Sequence, residues 1–216
     1  MQLHFEHLNL RYNPFGTLDY KRWSESVIIQ TSDYLPHIKS KQTVLFLGQK
    51  GVGKTSYLLG LMRYFEDASY IRLPMFFESR VHIPDAPVLF IDECQRLLPW
   101  QFPYVFRKDR KVVLGSHRNH RFELSLFGWK TKVVHVKQKD TQMIHRIFQR
   151  KIEQSRRSHA EIPKIEIHHV CYLQHKYGAV IRSMEEELYL IFQSATSVSD
   201  VKRQLDYRTQ SFSTCF

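Results

Sequence analysis

Short apolar runs recur along the first two thirds of the chain, each bounded by polar residues, glycine or proline. The runs are rich in Val, Ile, Leu and Phe, which is typical of buried strands. They lie at 43–47, 69–73, 88–91, 111–116 and 132–136. Helical patterns follow the first run, over 57–64, and the fourth, over 118–127. This alternation predicts an α/β fold with a five-stranded parallel sheet flanked by helices.

The pattern changes after residue 138, where apolar positions recur at helical spacing. The spacing predicts three helices, over 141–158, 165–177 and 178–192. We therefore expect a core domain over residues 1–138, which includes a lead-in segment over 1–42, and a small helical region over 139–197. Residues 198–216 are mostly polar and predict a tail that is disordered or docks on a neighbouring subunit. A further short helix is predicted over 19–30.

The strongest motif joins the first predicted strand to the helix after it. Gly48, Gly53, Lys54 and Thr55 fill every fixed position of G-x-x-x-x-G-K-[ST], and Gly51 adds a glycine inside the loop. The glycines let backbone N–H groups converge on phosphate oxygens, the lysine reaches the β- and γ-phosphates, and the threonine hydroxyl takes one Mg²⁺ position. The predicted nucleotide-binding loop comprises Gly48, Gln49, Lys50, Gly51, Val52, Gly53, Lys54, Thr55 and Ser56. A nucleoside triphosphate, ATP, and Mg²⁺ are the expected ligands.

A pair of acids follows the third apolar run, at Asp92 and Glu93. Four consecutive apolar residues before them predict a strand that is buried on both faces. The carboxyl ends of parallel strands are where open sheets place their ligands. We expect Asp92 to hold Mg²⁺ and Glu93 to polarise the attacking water. The alternative is that the two acids are a solvated strand end.

Composition limits the cellular setting and the partners. The chain has 216 residues and a formal net charge of +11. Its three cysteines lack C-x-x-C spacing, it shows no secretory pattern, and no apolar stretch approaches the roughly 18 residues that a membrane span needs. We therefore expect a cytoplasmic protein without a membrane span. The positive charge predicts contact with a polyanion such as DNA, although solubility and the nucleotide phosphates also account for it.

At this point the chain resembles an AAA+ ATPase, over residues 40–195. The helical region narrows the resemblance, because the stretch from Gly178 to Arg182 is similar to the G-x-x-x-R pattern at the third helix of an AAA+ lid. The resemblance implies that ATP binds between the sheet and a three-helix lid, and that Arg182 senses the γ-phosphate. It also implies a polar sensor after the fourth strand, for which Ser116 fits best, with His117 and Asn119 as alternatives.

The same resemblance implies a ring or filament of identical subunits, in which an arginine from one subunit reaches the γ-phosphate on its neighbour. Arg118 and Arg121 lie in the right interval, whereas Arg107 and Arg110 are less well placed. A segment ahead of the first strand packs beside the adenine in many such ATPases. Phe15 is the candidate for that contact, and the alternative is that Phe15 anchors the core.

The outline is most similar to small ATPases that carry Asn-Pro-Phe near the start, here at 13–15. Those ATPases resemble transposition regulators, helicase loaders and secretion-accessory ATPases. They imply an oligomeric switch or loader associated with DNA. The alternatives are an ATPase that regulates or recruits a protein partner without DNA and, less favoured, a small-molecule phosphotransferase.

Two other sets of residues suggest chemistry that we do not expect here. The histidine pairs 117/120 and 168/169 have no cysteine or acid at metal-site spacing, so we expect ordinary histidines. Cys94 follows the acidic pair, and no feature of the sequence distinguishes a nucleophile from a small core residue.

Overall fold

The fold was analysed in a computed structural model, which describes residues 5–16, 27, 31–40, 42–75 and 81–213. The chain divides into two compact units. The core unit comprises residues 20–137, and the helical unit comprises residues 1–19 together with 138–216. The helix predicted over 19–30 lies outside the described residues, apart from Val27.

A five-stranded sheet forms the centre of the core unit. Its strands are β1 Thr43–Leu47, β2 Ala68–Arg72, β3 Val88–Asp92, β4 Lys111–Ser116 and β5 Thr131–His135. The strand order is β2-β3-β4-β1-β5, and every neighbouring pair is parallel. The predicted parallel α/β sheet is therefore confirmed. Because β4 lies between β1 and β3, the loops after these three strands meet at one edge of the sheet.

Burial follows position in the sheet. All five residues of β3 and the last five of β4 are buried, whereas the edge strands β2 and β5 are only partly buried. Helices cover the faces, so the central strands need apolar side chains on both sides. This explains why the central strands are continuous apolar runs in the sequence rather than alternating ones.

The helices of the core unit are short. They are α1 Leu35–Lys39, α2 Lys54–Met62, α3 Phe102–Val105 and α4 Arg121–Leu126. Single 3₁₀ turns lie at Ser32–Tyr34, Cys94–Arg96 and Pro99–Gln101. The sequence pattern predicted α2 and α4 but neither α1 nor α3, because one helical turn holds too few apolar positions to establish a period.

The helical unit contains α5 Thr141–Ser155, α6 Ile167–Tyr177, α7 Ile181–Ser194 and α8 Val198–Ser213. Helix α5 begins where the Asp140 carboxylate accepts a hydrogen bond of 2.7 Å from the Met143 backbone N–H. Its buried side chains include Ile144, Phe148 and Ile152, four residues apart and therefore on one face. The other helices contribute further apolar side chains to the same core.

The first residues of the chain belong to the helical unit. Leu8, Leu10 and Phe15 are buried in its core, and Leu10 forms a backbone bridge with Arg156. The core domain was predicted to begin at residue 1, so the structure differs from that boundary over the described residues 5–16. The sequence does not show this because the partners of these residues lie more than a hundred positions further along the chain.

Residues 198–213 form helix α8 rather than the irregular polar tail that the sequence predicted. Val201 and Leu205 are buried in the core of the helical unit. The buried Glu187 carboxylate on α7 accepts hydrogen bonds from Lys176 on α6 at 2.9 Å and from Arg208 on α8 at 2.9 Å. Buried apolar residues and charged contacts, which also include Lys202 with Glu166 at 2.9 Å and Asp206 with His169 at 2.7 Å, therefore dock this mostly polar helix.

None of the helices in the described parts of the chain is both long and apolar enough to cross a membrane.

Candidate active site

The loop between β1 and α2 has the backbone geometry of a phosphate cradle. Gly51 and Gly53 have φ angles of 87° and 97°, and Gly53 is the residue that precedes the first turn of α2. Because a side chain is strained at such angles, glycine is required where the chain turns into the helix. Backbone N–H groups at this helix N-terminus have no partner within the helix and attract an anion.

The Lys54 side chain is held over this loop by hydrogen bonds to the loop backbone. Its Nζ atom donates hydrogen bonds to the carbonyl oxygens of Gly48 at 2.9 Å and Gln49 at 2.8 Å. Burial lowers the pKa of the ammonium group, and the negative charges of Glu93 and Asp92 oppose that effect. The group therefore lies between the loop and the acidic pair, as a lysine that neutralises phosphate charge must.

A threonine–aspartate pair forms the second part of the site. The Thr55 hydroxyl donates a hydrogen bond of 2.6 Å to Asp92 Oδ2, and the Tyr70 hydroxyl donates one of 3.2 Å to the same oxygen. A Cβ atom on Gly115 of β4 would lie 2.8 Å from Asp92 Oδ1, so glycine leaves space for this carboxylate. Hydroxyl and carboxylate oxygens are ligands that Mg²⁺ prefers. The chemistry of these groups fits the predicted metal position.

Glu93 follows β3 and is anchored through one carboxylate oxygen. Its Oε2 atom accepts a hydrogen bond of 2.6 Å from Gln95 and lies 3.2 Å from the Arg96 guanidinium. Its Oε1 atom has a longer contact, 3.4 Å from His117 Nε2. Burial raises the pKa of this carboxyl, but the Gln95 hydrogen bond and the charges of His117 and Arg96 outweigh it and lower the pKa overall. Glu93 thus stays ionised in a nearly buried position.

The backbone of Glu93 is also unusual, with a φ of 60° in the left-handed region. A residue other than glycine is uncommon there, and such positions concentrate at functional sites. The turn directs the side chain back towards the end of β4, where it meets His117.

Two candidates for the predicted polar sensor lie next to each other, Ser116 at the end of β4 and His117 directly after it. The Ser116 hydroxyl donates a hydrogen bond of 3.1 Å to Gln95 Oε1 and so supports the group that anchors Glu93. His117 lies between the two central charges, with Nδ1 at 3.4 Å from Lys54 Nζ and Nε2 at 3.4 Å from Glu93. The structure therefore brings both candidates to the site, with His117 in direct contact with Lys54. Asn119 instead accepts a hydrogen bond from the Arg121 backbone N–H.

Sequence reasoning missed four contributors to this site. Gln95 and Arg96 come directly after the acidic pair, and this adjacency was the available signal. Tyr70 and Gly115 carry no signal, because their roles depend on β2 and β4 lying beside Asp92 in the folded sheet.

The four arginines considered for the in-trans role have different surroundings. Arg107 pairs with Asp85 and Asp109, and the buried Arg110 also pairs with Asp85. Arg118 and Arg121 are exposed, and no ion pair to either side chain is found within the described residues. Arg118 and Arg121 therefore have free guanidinium groups in this part of the chain, whereas the other two are engaged within their own unit.

Two predicted site residues belong to the helical unit. Phe15 is buried there, with its ring edge-on to Phe148 at 5.6 Å and to Phe192 at 5.2 Å between centroids. Arg182, the second residue of α7, is exposed and lies 3.5 Å from Glu186. Phe15 has the packing of a core residue. Adenine contact by Phe15 and γ-phosphate contact by Arg182 stay predictions.

The helical unit also contains the described cluster whose spacing would suit a metal ion, His168, His169 and Asp206, with one potential ligand atom of each within 4.8 Å of the others. The Glu166 backbone N–H donates to His169 Nδ1, so the proton of that ring lies on Nε2 and is donated to Asp206 at 2.7 Å. Hydrogen bonds therefore satisfy the buried His169 on both nitrogens.

Burial raises the pKa of the Cys94 thiol to about 12, which argues against a nucleophile at that position.

Comparison with solved structures places this architecture among known ones. Over 91% of its length the chain is similar to PCH-2 from C. elegans, with a TM-score of 0.57 and 11% identity. Over 83% of its length it is similar to Hsp104 from S. cerevisiae in complex with ADP, with a TM-score of 0.57 and 14% identity. Both are AAA+ ATPases. The chain has the AAA+ fold.

The AAA+ match extends over different shares of the two proteins. The chain spans 73% of the PCH-2 chain but only 33% of the Hsp104 chain. No protein-family model matches the sequence, and comparison with curated proteins gives no match. At these identities the likeness shows the AAA+ fold alone.

Proposed function

We propose that this AAA+ chain binds ATP with Mg²⁺ and hydrolyses it at the edge of the sheet where β1, β3 and β4 end. The observation that carries the proposal is the contact of 2.6 Å between the Thr55 hydroxyl and the Asp92 carboxylate, directly beside the glycine loop and Lys54. A hydroxyl at the start of the phosphate-binding helix and an acid at the end of β3 form one oxygen pair. This is the arrangement that a Mg²⁺–triphosphate requires.

Each group has one part in the reaction. The loop N–H groups and Lys54 bind phosphate oxygens and neutralise their charge. Thr55 and Asp92 would hold Mg²⁺, which when bound would supply further positive charge to the phosphates. Glu93 accepts a proton from the attacking water. The oxygen of that water forms a bond to the γ-phosphorus while the bond between the γ-phosphorus and the leaving oxygen of ADP breaks. His117 orients this base relative to Lys54.

We further propose that the active form is an oligomer of identical subunits associated with DNA. An arginine supplied by a neighbour stabilises charge on the transferred phosphoryl group and is worth orders of magnitude in rate. Arg118 and Arg121 suit this role because they are exposed and free of ion pairs in the described chain. The net charge of +11 supports a polyanionic partner.

The experiment is phosphate release from ATP by the wild type and by Glu93→Gln, with and without DNA, while light scattering reports the mass of each sample. We expect hydrolysis that requires Glu93, rises with DNA and coincides with ATP-dependent assembly. Turnover that DNA does not change, in a protein that stays monomeric, would overturn the oligomeric DNA association. It would favour an ATPase directed at a protein partner. Consumption of ATP only when an acceptor metabolite is added would instead favour a phosphotransferase.

A further inference from the structure

A row of aromatic rings runs across the surface of the core unit on the side of α3 and α4. The ring centroids of Trp129 and Phe106 are 5.4 Å apart, those of Phe106 and Phe102 are 5.5 Å apart, and those of Phe102 and Phe127 are 5.9 Å apart. Three of the rings rest on the apolar core beneath. The fourth, Phe127, is 63% exposed. The row therefore begins against the core and ends in solvent.

Further large side chains are exposed on the segments that carry this row. Phe122 of α4 is 72% exposed, Trp100 in the turn before α3 is 67% exposed, and Tyr104 of α3 is 51% exposed. Leu126, one turn after Phe122 on the same face of α4, is also exposed. So much exposed apolar surface in neighbouring segments marks an interaction site rather than an ordinary surface. We call these residues, together with the row, the aromatic surface.

Cations, with few acids, accompany the aromatic surface. The segment from Pro99 to Lys130 contains seven lysines and arginines but only two acids. One acid, Asp109, pairs with Arg107, and the other, Glu123, lies 3.8 Å from His120. Lys108 and Lys130, which are not candidates for the in-trans role, are exposed, and the described residues offer no salt-bridge partner for them. The segments that carry the aromatic side chains therefore also carry positive charge that no acid in the described residues compensates.

We propose that the aromatic surface binds single-stranded nucleic acid. Exposed rings offer faces on which successive bases stack, and the bordering cations attract the phosphate backbone. Duplex DNA fits less well, because its bases are already stacked on one another and its outer surface presents phosphates. This inference rests on the proposed association with DNA. The association is assigned to the aromatic surface and to single strands rather than duplexes.

The composition of the surface favours bases over an apolar protein segment. Of its exposed large side chains, only Leu126 is aliphatic, and the rest are aromatic. A protein helix would pack equally well on leucine or isoleucine, whereas bases gain specifically from a flat ring. The uncompensated cations point to an anion as well. The packing of the sheet does not require the rings of Phe122 and Phe127, because both are mostly exposed to solvent.

The test measures binding of a fluorescein-labelled oligothymidylate of about 20 nucleotides to the full chain, with a duplex of the same length in parallel. We expect tighter binding of the single strand and quenching of tryptophan fluorescence from Trp100 and Trp129. The double variant Phe122→Ala with Phe127→Ala should bind at least about tenfold more weakly. Lys130→Gln should reduce the slope of affinity against salt by about one.

A matched pair of substitutions separates base stacking from general apolar contact. Phe122→Leu with Phe127→Leu keeps the apolar surface but removes the rings, and we expect it to lose nearly as much affinity as the alanine pair. Leu190→Ala changes an exposed apolar residue of α7 in the helical unit and should bind like the wild type. Basal ATP hydrolysis by the phenylalanine variants should equal that of the wild type, which shows that they fold.

Two results would overturn the inference in distinguishable ways. If the oligonucleotide binds but the phenylalanine variants bind it equally well, or if the leucine pair retains full affinity, nucleic acid binds elsewhere and only this inference fails. If neither single strand nor duplex binds at low salt, the proposed association with DNA fails too, and the surface is left for a protein partner.

Discussion

At the scale of single residues, Gln95 connects the groups around the catalytic candidate. Its side-chain amide donates to Glu93 Oε2 at 2.6 Å, and its carbonyl oxygen accepts from the Ser116 hydroxyl at 3.1 Å. Arg96 forms an ion pair with the same Glu93 oxygen at 3.2 Å and donates from its other terminal nitrogen to the Leu73 carbonyl at 2.7 Å. One carboxylate oxygen is thus fixed, whereas the other has only the longer contact of 3.4 Å with His117.

This geometry predicts how Gln95→Leu will act. Losing the amide donor frees the Glu93 side chain to rotate, so we expect kcat for ATP hydrolysis to fall by about tenfold or more. The same loss removes a hydrogen bond that lowers the pKa of Glu93. In the wild type, the acidic limb of the kcat profile should lie below the ordinary glutamate pKa of about 4.3, and in the variant it should move to higher pH.

The measurement is kcat against pH, together with nucleotide binding to show that the site is otherwise intact. Gln101→Leu serves as a control that leaves Glu93 untouched. Gln101 lies further along the same segment, and its side-chain oxygen accepts a hydrogen bond from the Leu98 backbone N–H. An acidic limb at the same pH in wild type and Gln95→Leu would contradict a positioning role for Gln95.

At the scale of elements, the unexpected packing is that of Phe15 into the helical unit. The ring is buried edge-on against Phe148 of α5 and Phe192 of α7. The preceding turn is held by Asn13, whose side chain accepts from the Phe15 backbone N–H at 3.1 Å and donates to the Tyr189 carbonyl at 3.0 Å. The segment around Phe15 therefore completes the core of the helical unit, although the helices of that unit lie more than a hundred residues further along the chain.

Phe15→Ala should accordingly destabilise the protein. Removing a buried phenylalanine leaves a cavity, and we expect the free energy of unfolding to fall by about 3–5 kcal/mol. Denaturant unfolding checks this, with Phe15→Leu as the control that keeps most of the volume and loses less. A variant of unchanged stability and weakened ATP binding would instead support adenine contact by Phe15.

The elements also show how far the sequence alone predicts this fold. The bounds of β1 and β4 agree with their apolar runs, because strands buried on both faces must be continuously apolar. For a related reason the sequence predicts a site at the glycine loop, Lys54, Thr55, Asp92 and Glu93, since phosphate and metal chemistry restricts residue types at fixed spacing.

What the sequence could not predict depends on contacts between distant positions. Helix α8 docks through Val201 and Leu205, two apolar residues in a polar segment, which establish no period by themselves. Ser116 reaches Gln95 from β4, and Tyr70 reaches Asp92 from β2, so these two contacts exist only once the strands are ordered. Only the resemblance to a known family indicated which distant parts of the chain come together.

At the scale of the whole molecule, the AAA+ fold, the site at the edge of its sheet and the charge of +11 lead to one account. The core unit holds the phosphate loop, the acidic pair and both exposed arginines that suit an in-trans role. Subunits that exchange such an arginine would couple hydrolysis to assembly. On this proposal, Glu93 drives hydrolysis of bound ATP.

Single-turnover phosphate release from preformed Mg²⁺–ATP complexes of the wild type and Glu93→Gln tests that claim most directly. A titration with a fluorescent ATP analogue measures the affinity of each. We expect Glu93→Gln to bind nucleotide as tightly as the wild type but to release phosphate about 10²–10⁴-fold more slowly, because a general base has been removed while the phosphate loop and the Thr55–Asp92 pair remain. Equal rates of phosphate release at equal affinity would contradict it.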